Sequence, residues 1–72
     1  MTRVSNQDKW TQGYICAVVV LIQLNGEVDI RTRELYQSGI SNTSLQALRS
    51  SGVSEFDLEI LGKYWKELNH HP

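Results

Sequence analysis

The run of residues 14–22 constrains the fold more than any other part of this chain. All nine of its residues are apolar, and the run is followed closely by Asn25-Gly26. Trp10, Tyr14 and Val18 recur at helical spacing, and glycine commonly stands just past the end of a helix. The pattern predicts a helix that is apolar on every side, which must therefore be buried on every side or meet another chain.

A β-hairpin is the competing interpretation of the same segment. Residues 14–24 are rich in β-branched side chains, and Asn25-Gly26 between apolar runs is a strong hairpin signal. Residues 27–30 would then form the return strand. We favour the helix because the segment is long for a strand and the rest of the chain offers no third strand. Ser5 and Asp8 also form a helix-capping pattern before it.

Turn and capping signals divide the rest of the chain into shorter helices. Asp29 is predicted to cap a short helix that ends at Ser38-Gly39, and Ser41 or Asn42 to cap a second one that ends at Ser51-Gly52. Ser54, with Asp57 three residues later, opens a last helix that runs to Leu68.

The sequence therefore predicts an all-α fold, a compact bundle of about four helices in which two longer helices flank two short ones. Residues 8–69 form the single helical domain, between a flexible segment at 1–7 and a flexible tail at 70–72. Cys16 is expected to be a small buried apolar side chain. The expected core is Trp10, Tyr14, Val18, Leu21, Ile22, Val28, Leu35, Ile40, Leu45, Leu48, Val53, Phe56, Ile60, Leu61, Tyr64 and Leu68.

The sequence lacks the residue patterns that most kinds of catalytic site require. A phosphate-binding glycine loop, a nucleophile–base pair and a zinc spacing are all missing from the 72 residues. We therefore expect no enzyme activity and no catalytic, cofactor-binding or metal residues, and neither a cofactor nor a small-molecule substrate. His70 and His71 read as a mobile terminus rather than as a metal-binding tail.

The longest apolar run is too short to span a membrane, which bears on where the protein is located. A membrane span needs about 20 apolar residues, and the longest run here has nine. The first residues are polar and do not resemble a signal peptide. With a single cysteine, the sequence predicts a cytoplasmic protein with no membrane partner.

Residues 32–52 resemble a helix-turn-helix, with Gly39 as the turn glycine and Leu45 and Leu48 as the apolar anchors of the second helix. Leu35 departs from the pattern, because a small residue usually stands four positions before that glycine. The alternative function is therefore a small DNA-binding regulator, although a net charge of −1 is unlike that of a strong nucleic-acid binder. In this alternative Arg31 and Arg33 contact phosphates, and bases are read by Asn42, Gln46 and Arg49.

The leading expectation is a protein-interaction module that forms a homodimer. A chain of 72 residues has too few other helices to cover a first helix that is apolar on all sides. A second copy or another protein is therefore expected to cover the remainder. The residues expected at this interface are Val19, Val20, Gln23 and Trp65.

The chain resembles the small accessory proteins that bacteriophages and prophages encode. The resemblance is carried by Gly13-Tyr14-Ile15-Cys16-Ala17-Val18 through Gly26, by Arg33-Glu34-Leu35, and by Gly52-Val53-Ser54-Glu55-Phe56-Asp57-Leu58-Glu59. It covers residues 10–68 and has no diagnostic motif. It implies a cytoplasmic modulator that acts by binding a host or phage macromolecule.

Overall fold

The computed structural model describes residues 6–40 and 43–70, which form five α-helices and no strand. The helices are α1 (Asn6–Asn25), α2 (Ile30–Gly39), α3 (Leu45–Ser50), α4 (Glu55–Lys63) and α5 (Trp65–Leu68). The all-α prediction is confirmed, and residues 14–24 are helix rather than hairpin.

The ends of the helical region differ from the predicted bounds. Helix α1 begins at Asn6, so Asn6 and Gln7 belong to a helix rather than to a flexible segment. The carbonyl of His70 accepts a 2.7 Å hydrogen bond from Gln37 Nε2, which ties this residue to α2. The predicted roles of Ser5, Ser41, Asn42 and His71 lie outside the described residues.

Side-chain caps start three of the helices. Asp29 Oδ1 accepts a 2.7 Å hydrogen bond from the Thr32 N–H, and Ser54 Oγ accepts one of 3.2 Å from the Asp57 N–H. Both were predicted as caps and are confirmed. The cap of α3 is Ser44, whose Oγ accepts from the Ala47 N–H at 3.0 Å. This helix therefore begins later than a cap at Ser41 or Asn42 would place it.

Gly26 ends α1 as its position in the sequence predicted. Its φ of 73° lies in the left-handed region that favours glycine, and its N–H donates to the Ile22 carbonyl at 2.8 Å. The chain then reverses and α2 runs antiparallel to α1, with the Tyr14 hydroxyl donating to the Leu35 carbonyl. Gly39 does not serve as a left-handed stop and is instead the last residue of α2.

The predicted last helix is interrupted at Tyr64, which gives five helices in the described residues instead of four. Tyr64 has φ −108° and ψ 18°, and its N–H closes α4 by donating to the Ile60 carbonyl at 3.2 Å. The turn directs Leu68 into the interior, where it is fully buried. The Leu68 carbonyl then accepts a 2.9 Å hydrogen bond from Gln37 Nε2 on α2.

Helix α4 runs beside α1 in the same direction. Gln12 Nε2 on α1 donates to the Ser51 carbonyl just before α4 at 2.8 Å, and the Tyr64 hydroxyl just after α4 reaches the Gly26 carbonyl at 3.5 Å. Helix α1 thus packs against α2 on one flank and α4 on the other, while α3 packs mainly on α4.

The core lies between these helices and differs in part from the predicted set. Ile15, Val19, Tyr36 and Leu58 are buried although they were not expected there. The predicted core residues Trp10, Leu35 and Phe56 are exposed, as is Cys16, so these predictions are wrong. The buried apolar residues are Ile15, Val18, Val19, Ile22, Tyr36, Ile40, Leu48, Val53, Leu58, Leu61 and Leu68; Tyr14, Val28, Leu45, Ile60, Tyr64 and Trp65 pack against them half-buried.

Candidate interaction surface

Helix α1 has one buried face and one exposed face, although both are rich in apolar residues. The buried face consists of Thr11, Ile15, Val18, Val19 and Ile22. On the opposite side, Trp10, Gly13, Ala17, Val20 and Leu24 are all exposed. We call these five residues the outer face of α1. Trp10, Val20 and Leu24 keep 47%, 44% and 76% of their surface accessible to solvent, so the residues that the structure describes leave this face open.

The residues of the outer face follow a coiled-coil spacing. Their positions, 10, 13, 17, 20 and 24, are separated alternately by three and four residues. Apolar residues with this mean period of about 3.5 form a stripe along one side of a helix, which is the arrangement by which two helices pack along their length. The buried face uses a different set of positions, so the two stripes serve different contacts.

The outer face is also uncharged. Residues 10–26 include no Asp, Glu, Lys or Arg, whereas an exposed helix side in a soluble protein normally carries charges of both signs. Contiguous apolar surface of this kind marks an interaction site more often than a free surface.

The flank of the outer face nearest α2 is held in place by aromatic packing. The Trp10 and Tyr14 rings are stacked with centroids 4.8 Å apart, and the Tyr14 hydroxyl is bound to the Leu35 carbonyl. Further along, Leu21 and Leu35 line an open groove between α1 and α2 of about 410 Å³. The apolar surface therefore continues from α1 onto α2.

Asp29 and Arg31 also line this groove and add charge beside the apolar surface. The backbone hydrogen bond from Thr32 holds the pKa of the Asp29 carboxyl below its usual value, and the side chain of Thr32 and the nearby Arg31 guanidinium act in the same direction. The Asp29 carboxyl is therefore ionised in the folded protein at neutral pH. These two charges contrast with the uncharged outer face of α1.

The predicted interface residues divide into two pairs. Val20 and Gln23 are exposed on α1, as a contact with a second chain requires. Val19 is only 1% exposed and points into the core, so it cannot contact a second chain. Trp65 is half-buried and packs edge-on against Tyr36, with ring centroids 6.3 Å apart. The assignment of Val19 to an interface is therefore corrected, because its side chain belongs to the packing of the monomer. The assignment of Trp65 stays a prediction.

The two arginines predicted to contact phosphates line different grooves. Arg31 lines the groove between α1 and α2, whereas Arg33 lines a different one with Val28, Lys66, Glu67 and His70. On α3, Gln46 is exposed, and the Arg49 guanidinium donates to Glu55 at 3.1 Å. Asn42 lies outside the described residues.

Most residues of the outer face were not predicted from the sequence as a contact surface. Trp10 was assigned to the core, and Gly13, Ala17 and Leu24 were assigned to no site. The signal was present as the alternating spacing of uncharged residues, but the consecutive valines at 18–20 made the helix look equally apolar all round. Phe56 was also assigned to the core, although it is 58% exposed in the acidic first turn of α4.

Among residues 6–40 and 43–70, no three His, Cys, Asp or Glu side chains form a group that could hold a metal ion. Within the same residues, no helix combines the length and apolarity that crossing a membrane requires. Comparisons of the chain with protein-family models, curated proteins and solved structures find no match.

Proposed function

We propose that this protein is a small non-enzymatic interaction module that self-associates and binds other protein through the outer face of α1. The single observation that carries the proposal is an exposed, uncharged, apolar helix face with coiled-coil spacing in a chain of only 72 residues. Covering that face removes apolar surface from water, which is the main driving force for association between proteins.

The proposal includes the class and the setting that the resemblance implies. A phage or prophage accessory protein of this kind acts in the bacterial cytoplasm by binding a host or phage macromolecule. A surface without charge supports a protein partner over a nucleic acid, because phosphate contacts from Lys and Arg dominate nucleic-acid affinity. The proposed activity involves no cofactor, metal or small-molecule substrate.

DNA binding has less support as a function. Arg49 is paired with Glu55, and a base contact would have to replace that ion pair. Arg31 and Arg33 line separate grooves and would not follow one phosphate backbone together. Helix α3, the candidate recognition helix, has six residues and packs mainly on α4.

Sedimentation equilibrium over a range of protein concentrations tests the proposed function. We expect the wild type to self-associate and Val20→Glu to remain a folded monomer, because the new carboxylate lies on the outer face and would be buried unpaired in any contact there. Ala47→Glu is the matched control, since it puts the same charge on an exposed position of α3 and should associate like the wild type.

Circular dichroism of the three proteins establishes that each is folded before its mass is compared. A wild type that stays monomeric at the highest concentration would contradict the proposed self-association. Equal weakening by Val20→Glu and Ala47→Glu would place the contact elsewhere on the molecule.

A further inference from the structure

We propose that the outer face of α1 is occupied by the same face of a second copy, packed antiparallel around a two-fold axis that crosses this face midway between Ala17 and Val20. This inference rests on the proposed function and adds the identity and orientation of the partner. Three observations support it: the order of side-chain sizes along the face, the position of Gly13, and the charges at its two ends.

The sizes along the outer face match only in the antiparallel direction. The first half holds the small residues Gly13 and Ala17, and the second half holds the larger Val20 and Leu24. Around the proposed axis, Gly13 lies opposite the partner's Leu24, and Ala17 lies opposite the partner's Val20. Each central layer then joins one small and one large side chain, as in the interdigitated packing of helices. Parallel pairing would set glycine against glycine and leave a void.

Trp10 extends the same pattern at the edge of the contact. It lies opposite the partner's Glu27, in the turn after α1, where Gly26 leaves room for a large ring. The interface is isologous, because each contact occurs twice by symmetry.

The packing of the single chain leaves room for a side chain at residue 13. A β carbon at this position would meet no atom within 4 Å, and glycine inside a helix is less stable than alanine. In the paired arrangement its missing side chain lets the second backbone approach and receives the partner's Leu24. The contact between copies thus accounts for a glycine where the single chain has room for a side chain.

The charges at the ends of the face favour the same direction. Lys9 precedes the face and Glu27 follows it, and both are exposed. Antiparallel pairing brings Lys9 beside the partner's Glu27, whereas parallel pairing sets Lys9 against a second lysine. The helix dipoles are also opposed in the antiparallel arrangement.

The expected dimer is weak and reversible. From Trp10 to Leu24 the face extends about 21 Å at 1.5 Å per residue. A single helix face of this length covers roughly 400 Å² per subunit, about half of what a standard specific interface buries. Interfaces below about 1,200 Å² in total are typical of weak, transient contacts, so we expect dissociation in the micromolar range, which suits a module that exchanges its own copy for another partner.

Cysteine cross-linking tests the orientation. Lys9→Cys and Glu27→Cys are each introduced with Cys16→Ser, and the chains are oxidised separately and as a mixture. We expect the mixture to form at least about tenfold more disulfide dimer than either chain alone, because residue 9 lies about 28 Å from its own symmetry mate in the antiparallel pair. Equal cross-linking of Lys9→Cys alone would show parallel pairing and overturn the inference.

A size exchange tests the register with a different measurement. Gly13→Leu and Leu24→Ala are each expected to weaken self-association about tenfold, and the double variant to restore it to within about threefold, because the two positions face each other across the axis. A double variant as weak as its parents would contradict the register. A wild type that dimerises in sedimentation but fails both tests overturns this inference alone, whereas a monomeric wild type overturns the proposed function as well.

Discussion

The ring of Tyr14 packs directly on Gly39, so closely that a β carbon on residue 39 would overlap the ring. The ring has little freedom to move, because it stacks on Trp10 and its hydroxyl is bound to the Leu35 carbonyl. The end of α2 can therefore lie this close to α1 only because residue 39 has no side chain.

Gly39→Ala is accordingly expected to destabilise the fold by about 1–3 kcal/mol, the usual cost of forcing extra volume into a filled space. Gly62→Ala on α4 is the control, since a β carbon there would make an ordinary 3.7 Å contact with Leu45. That change should stabilise by about 0.5–1 kcal/mol through helix propensity. Chemical denaturation measures both, and equal effects of the two changes would contradict the described contact.

Tyr36→Phe is expected to leave the unfolding free energy unchanged or to raise it by up to about 1 kcal/mol. Tyr36 is buried, and within the described residues its hydroxyl lies near Asn69 without a hydrogen bond of good geometry. Burial accordingly raises the pKa of the Tyr36 phenol. Tyr14→Phe is the comparison, because it removes a bonded hydroxyl and should cost about 0.5–1 kcal/mol. A large loss from Tyr36→Phe in thermal or urea unfolding would show that this hydroxyl has a partner.

Two neighbouring residues of α4 test the assignment of the core. Leu58 is buried, so Leu58→Ala should lower the unfolding free energy by about 2–4 kcal/mol through lost burial and a cavity. Phe56 is more than half exposed, so Phe56→Ala should cost less than about 1 kcal/mol despite removing a larger side chain. Urea unfolding measures the loss of unfolding free energy in both variants. A larger loss from Phe56→Ala than from Leu58→Ala would mean that Phe56 belongs to the core.

The cap at Asp29 should make stability depend on acid. Its folded-state pKa lies below the usual 3.8, because the ionised carboxylate accepts the Thr32 N–H. Its stabilising effect is therefore complete above pH 3.8 and is lost as the pH falls through the lower folded-state pKa. Asp29→Asn keeps a hydrogen-bond acceptor without the charge. Its deficit relative to the wild type, measured by unfolding at several pH values, should shrink in strong acid; a deficit that does not vary with pH would contradict this account.

Local signals in the sequence predicted the helices better than they predicted which faces are buried. Asp29 and Ser54 cap helices because their side chains bond backbone groups within three residues, and Gly26 ends one through its own backbone. Such contacts are local and can be recognised in a single sequence. The break at Tyr64 depends instead on Leu68 reaching the core and on Gln37, more than thirty residues away, which binds its carbonyl.

The candidate surface was predicted only in outline for the same reason. An uncovered apolar helix could be anticipated from chain length, and Val20 is indeed exposed. Whether Val19 or Val20 is buried depends on the direction from which α2 and α4 approach α1. Two adjacent valines in a sequence do not indicate that direction. Trp10 and Phe56 were assigned to the core because each recurs at helical spacing with other apolar residues, although both lie on the surface.

A concentration series of ¹H–¹⁵N NMR spectra tests the central claim most directly, because it reports each backbone amide of the unmodified chain. We expect dilution to shift the signals of Gly13, Ala17, Val20 and Leu24, while those of α3 stay constant. Spectra that do not change with concentration, or changes confined to α3 and the Phe56 end of α4, would contradict the assignment of the outer face of α1 as the interaction surface.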